Sequence, residues 1–211
     1  MTETIIDAGA GIVKCEHRKM AIIGAGPGRA EAPWSDTTFC FQALNEIGQK
    51  YYARHWELHP RAVQSERDLA FLRQCPTPCY VLDRAEWGEL IPHPVQYPLD
   101  RLAAAGLNDA YFTSTFSYQM ALALLDGFEA IGLWGVELFD GSPRERLVER
   151  ACLEYWIGVA EGRGVTITHR SGLTSQPVRY GYDYQEEKAY VEDEVAALRH
   201  AIDYDEARKR R

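Results

Sequence analysis

The chain has 211 residues, enough for one substantial core and a small appendage. Its hydrophobic content of 46% is that of a globular chain, and no apolar run reaches the roughly 18–20 residues of a membrane span. A formal charge of −8 excludes broad electrostatic binding to nucleic acid and leaves only a local basic patch as a route to it.

The first residues, MTETIIDAGAG, carry acids and no basic stretch, so they do not read as a secretory signal. Five cysteines are an odd number without such a signal, and free thiols in a reducing cytosol are expected. Cys75 and Cys79 are the only close pair. Their three-residue gap and two prolines fit neither a redox pair nor a zinc site, so both are expected to be small buried residues.

In chain order, residues 1–17 have weak periodicity and read as an arm or a short strand. Arg18–Ile23 reads as a buried parallel strand. Gly24-Ala25-Gly26-Pro27-Gly28 follows as the turn at its C-terminal end. Glycine lets a backbone approach a phosphate closely, but the spacing is G-x-G-x-G and Pro27 removes a donor. By pattern alone the stretch is either a phosphate loop or a tight turn.

Ala30–Asp36 is a polar loop placed to cover whatever the turn holds. Thr38–Leu44 is a second strand, ending on Asn45, which would face the crevice where open α/β sheets bind ligands. Tyr51–Leu58 is a third. Strand alternation puts His55, Glu57 and His59 on one face, with Trp56 and Leu58 on the other. That trio reads as a general base, a phosphate contact or a metal site, or else as buried hydrogen-bonded side chains; no further metal ligand is identifiable.

Gln64–Gln74 is a short helix and Cys79–Leu82 a short strand. Trp87–Pro98, with three prolines, reads as an ordered loop. Leu99–Ala105 gives one or two helical turns. Thr113, Ser114 and Thr115 cap a helix over Phe116–Leu125. Ala130–Val136 is a buried strand leading to Glu137 and Asp140. Arg144–Glu161 is a long helix and Val165–Thr168 a last strand. This alternation predicts an α/β fold with a mostly parallel, helix-covered sheet. Thr174–Tyr184 is a polar loop, and Gln185–Arg208 an amphipathic helix suited to docking on the domain or on a second subunit. Arg144, Arg146 and His169 are further polar candidates near predicted strand ends.

Two stretches together resemble a known superfamily. One is the strand entering Gly24-Ala25-Gly26-Pro27, with Asn45 after the next strand. The other runs from Thr113-Ser114 through Gly127-Phe128, Ile131 and Leu133 to Gly135-Val136-Glu137. The pairing resembles the Rossmann-like superfamily of bacterial CMP-sialic-acid sialyltransferases and 6-hydroxymethylpterin diphosphokinase-like proteins. Small bacteriophage proteins look similar too, with a helix end like Glu154–Gly164.

The resemblance covers roughly residues 18–170 and implies a Rossmann-like nucleotide-binding domain over 18–173, with the arm over 1–17 and the C-terminal loop and helix over 174–211 read from the residue pattern. It implies a nucleotide held by Gly24, Gly26, Gly28, Asn45, Thr113, Ser114 and Thr115. Chemistry would fall to His59, Glu57, Glu137 and Asp140. The expected function is transfer of a sugar or diphosphate group from a CMP- or UDP-linked donor or from ATP, with Mg²⁺ as an optional companion held by Asp36, Glu137 and Asp140. The lid stretch Leu138–Arg146 lacks the histidine and tyrosines of the sialyltransferases, which favours a second reading, a nucleotide-sequestering protein. A third is glycosyl transfer to hydroxylated viral DNA bases. A cytoplasmic homodimer is expected, in the host cytoplasm if the chain is viral.

Overall fold

The computed structural model describes residues 4–7, 12–15, 18–44, 52–138, 142–170 and 199. Asn45, Asp140 and the predicted C-terminal loop and helix lie outside them, apart from Arg199. In the N-terminal arm, β1 (Thr4–Asp7) and β2 (Ile12–Cys15) form an antiparallel pair where one short strand was expected.

Seven parallel strands make the main sheet: β3 (Lys19–Ile23), β4 (Phe39–Leu44), β5 (Arg54–Trp56), β6 (Cys79–Val81), β7 (Pro94–Gln96), β8 (Ala130–Trp134) and β9 (Thr166–His169). Their order is β7-β6-β5-β4-β3-β8-β9. The chain starts at β3, steps outward to β7, then returns to β8 on the other side of β3. This is a Rossmann-like α/β fold, and its strand order reverses between β3 and β8. Right-handed crossovers make the outward and return journeys use opposite faces.

The outward face carries α1 (Glu66–Leu72) and α2 (Arg84–Trp87), with Leu69, Leu72, Trp87 and Ile91 packed on Cys79 and Val81. A capping box between Ser65 and Asp68 starts α1. Between β3 and β4 there is only a 3₁₀ turn, Pro27–Glu31, and a loop. There Trp34 stacks on Phe41 at 5.3 Å, and Ala21, Ile23, Ala43, Tyr52 and Trp134 close the layer. The return face carries α4 (Thr115–Leu125) and α5 (Pro143–Gly162), preceded by the short α3 (Leu99–Ala104). Met20, Ile22, Trp56, Met120, Leu133 and Trp156 form its core.

Predicted and observed elements differ in a few places. The third strand keeps only Arg54–Trp56 of the predicted Tyr51–Leu58. The proline-containing loop holds β7, which begins at Pro94. The short helix α2 was not predicted. Cys75, Cys79 and Cys152 are free and buried as expected. Cys40, however, is disulfide-bonded, so the expectation of free thiols throughout is corrected, and the inference of a reducing compartment loses its support. Among the described residues, no helix is long and apolar enough to cross a membrane.

A buried ion pair sits inside the return-face core. Arg54 on β5 pairs with Asp126 at the C-terminus of α4 at 2.6 Å, with side chains only 1% and 3% exposed. Its guanidinium also lies over the Tyr80 and Phe128 rings. Burial pushes the Asp126 carboxyl above its ordinary range, and the Arg54 charge opposes that shift. A buried pair is costly to break because the remaining charge stays desolvated. Asp126→Ala is expected to lower unfolding free energy by about 3–5 kcal/mol in urea denaturation. The double replacement Arg54→Met with Asp126→Leu recovers most of it, and equal losses in single and double variants would contradict this account.

Candidate functional site

Open parallel sheets bind ligands beyond the C-terminal strand ends, at the point where strand order reverses. In this chain that point is flanked by the turn after β3 and the segment after β8, and the two are tied together. Gly24 N–H donates to Trp134 O and Gly26 N–H to Gly135 O, both at 2.8 Å. Gly28 N–H donates to Glu137 Oε1 at 3.0 Å.

The glycines are required by this closure. A Cβ on Gly24 would lie 2.1 Å from Gly135 O, and one on Gly26 would lie 1.5 Å from Glu137 Oε2. One on Gly28 would lie 2.2 Å from Glu137 Oε1. The other wall needs a glycine for its conformation, since Gly135 has φ +71°. Leu138 adopts φ +51°, a strained value for a leucine, and is held there by burial. The amides of Gly24, Gly26 and Gly28, expected to face phosphate or ribose, are therefore directed at the protein's own backbone and carboxylate. Glu137 Oε2 is buried without a hydrogen-bond partner.

The N-terminus of α4 stands beside this turn, with the Phe116 ring 3.1 Å from the Cβ position of Gly24. Ser114 is its N-cap and its hydroxyl makes no cap hydrogen bond. Thr113 Oγ1 donates to Val148 O on α5 at 3.1 Å, so that hydroxyl braces two helices. Thr115 is the first helical residue.

Two strands away, β5 delivers the second polar feature. Parallel neighbours are about 4.8 Å apart, so β5 lies about 10 Å from β3. Just past the end of β5, Glu57 is buried and held by its N–H donating to Tyr80 O at 3.0 Å. Its Oε1 accepts from His59 N–H at 3.0 Å and from the ring Nδ1 at 2.9 Å. The His59 side chain is 62% exposed. With the carboxylate as acceptor, the ring proton is on Nδ1 and Nε2 is the open nitrogen. The hydrogen bond to Glu57 raises the His59 pKa above its ordinary value, burial opposes it, and the Glu57 charge adds to the rise.

His55, the third member of the predicted trio, goes elsewhere. It is fully buried, with its ring 5.2 Å from Phe71 of α1. Burial pushes the Cys75 and Cys79 thiols up, so neither is an activated nucleophile. Asp36 Oδ1 takes the N–H and hydroxyl of Thr38 at 2.9 and 2.6 Å. Arg146 pairs with Glu149, Arg144 is exposed, and His169 stacks on Trp134 at 5.0 Å. Asp140, the third acid expected to hold Mg²⁺ with Asp36 and Glu137, lies outside the described residues, and among those residues no three His, Cys, Asp or Glu side chains form a ligand set. The Arg54–Asp126 pair was missed by sequence reading. The alternation that grouped Trp56 with Leu58 also put Arg54 on the core side, and an arginine there demands an acid.

No protein-family model matches the chain, and no curated protein does. Among solved structures, the fold is similar to that of the sialyltransferase CstII from Campylobacter jejuni. In its complex with CMP-3FNeuAc the TM-score is 0.48 at 13% identity, over 76% of this chain and 88% of that one. In its complex with cytidine-5′-monophosphate the TM-score is 0.49 at 13% identity, over 81% of this chain and 98% of that one.

Two measurements follow from the geometry. Gly24→Ala forces a methyl into a backbone carbonyl and is expected to cost about 3 kcal/mol or more. Gly26→Ala meets chiefly the Glu137 carboxylate, with Gly135 O at a less severe 2.9 Å, so its cost is smaller and it expels that carboxylate. Melting curves that rank the two the other way would contradict the closure. For His59, a raised folded pKa means that its small contribution to stability is complete below about pH 6.5 and fades as pH rises through the folded value. NMR titration of the His59 ring should give a midpoint above 6.5 that falls in Glu57→Gln.

Proposed function

We propose that the chain is a nucleotide-dependent transferase that moves a sugar or diphosphate group from a CMP- or UDP-linked donor, or from ATP, to an acceptor hydroxyl. One observation carries the reading: the Glu57–His59 pair at the C-terminal edge, with the histidine exposed and its carboxylate partner buried. A buried carboxylate that fixes one ring nitrogen leaves the other oriented and more basic, the arrangement a general base requires. In the transfer step the acceptor oxygen bonds to the moving group while that group's bond to the nucleotide breaks. The acceptor proton passes to His59 Nε2.

His59 is then the catalytic residue and Glu57 a positioning residue. The strand-order reversal two strands away supports a nucleotide between β3 and β8. The start of α4, with the Ser114 hydroxyl at its N-cap, is suited to the anionic part of the donor. Gly24, Gly26 and Gly28 act by shape, through the closure they permit. Asn45 and Asp140 retain the nucleotide-contact and acid roles proposed from sequence.

The test is nucleotide release from CMP- and UDP-sugars and from ATP, followed by ion-exchange chromatography, with His59→Ala and Glu57→Gln alongside. His59→Ala is expected to keep donor affinity and lose turnover by about 10²–10⁴. The wild-type rate should rise with pH through the elevated His59 value, and Glu57→Gln should move that midpoint down. Binding without turnover in the wild type would replace this reading with a sequestering protein, and no binding would end it.

A further inference from the structure

We propose that Glu137 makes the turn at the centre of the sheet a seat for a hydrogen-bond-donating part of the ligand, and that in a nucleotide this part is the ribose diol, not a phosphate. The assignment rests on the nucleotide reading above and specifies which group goes where.

A phosphate needs several donors and no nearby negative charge. The turn offers the reverse. Pro27 has no N–H, and the amides of Gly24, Gly26 and Arg29 donate to backbone carbonyls. The Gly28 amide is taken by Glu137 Oε1. A carboxylate fills the space over Gly26 and Gly28 that a phosphate would occupy.

The turn also holds an unsatisfied acceptor. Glu137 Oε2 is buried with no hydrogen-bond partner, while the residue as a whole is only part-buried. A desolvated carboxylate oxygen without a donor is unfavourable, so a ligand that supplies one gains more there than in water. Two adjacent hydroxyls on a ribose supply donors and carry no charge.

The test is thermal-shift titration of the full chain. Its probes are CMP, UMP, AMP and GMP, their 2′,3′-dideoxy counterparts, and inorganic pyrophosphate, with Glu137→Gln in parallel. At least one ribonucleotide should raise the melting temperature, and its dideoxy counterpart should bind about tenfold or more weakly. Pyrophosphate alone should give no shift, and Glu137→Gln should erase the ribose-to-dideoxy difference. Equal binding of the two sugars to the wild type overturns the assignment and leaves the nucleotide reading intact. So does pyrophosphate binding as tight as the ribonucleotide's. No shift with any nucleotide ends that reading, and this assignment with it. If Glu137→Gln does not fold, the wild-type comparison decides alone.

Discussion

The two backbone hydrogen bonds from Gly24 and Gly26 to residues 134 and 135 fix the centre of this molecule. Strand β3 is already paired on both sides, with β4 and β8, and these bonds extend its contact with the β8 side past the end of the ladder. Two loops that would otherwise splay apart are held as one wall. The glycines follow from that constraint, since any Cβ at these positions meets the facing chain. Gly135 and Leu138, both at positive φ, are the conformational cost on the other side.

That wall determines what chemistry the edge offers. A carboxylate is lodged at its centre, so positive or neutral groups are favoured there. The histidine with its own buried carboxylate stands about two strand spacings away. Between them lies β4, and the helix start at Ser114 stands beside the wall rather than beside the histidine. The edge is therefore divided by polarity, with acceptors at the turn, donors at the helix start and a titrating base farther along the sheet.

Much of this was legible in the residues. Period-2 alternation separated His55, Glu57 and His59 from Trp56, and Gly24–Gly28 lies where a turn was expected. The alternation did not reveal that β5 is three residues long, so that Glu57 and His59 lie beyond it and turn toward each other while His55 stays under α1. A local pattern gives the face of a strand but not where its ladder stops, because that depends on neighbours distant in sequence. The same limit applies to Glu137. Its sequence context marks a strand end, yet its carboxylate is fixed by an amide 109 residues away. Pro94 misled in another way: a proline is tolerated in an edge strand, where its missing N–H has no ladder partner.

That proline has a further effect. In β7 the inward-facing backbone groups belong to residues 93, 95 and 97: His93 O accepts from Cys79 and Tyr97 N–H donates to Val81 O. The outward-facing positions are therefore Pro94 and Gln96, and only Gln96 carries a donor. A strand arriving from another molecule finds one amide where it would need a row of them. The β7 border of the sheet is thereby a poor template for strand addition, which disfavours edge-to-edge pairing on that side.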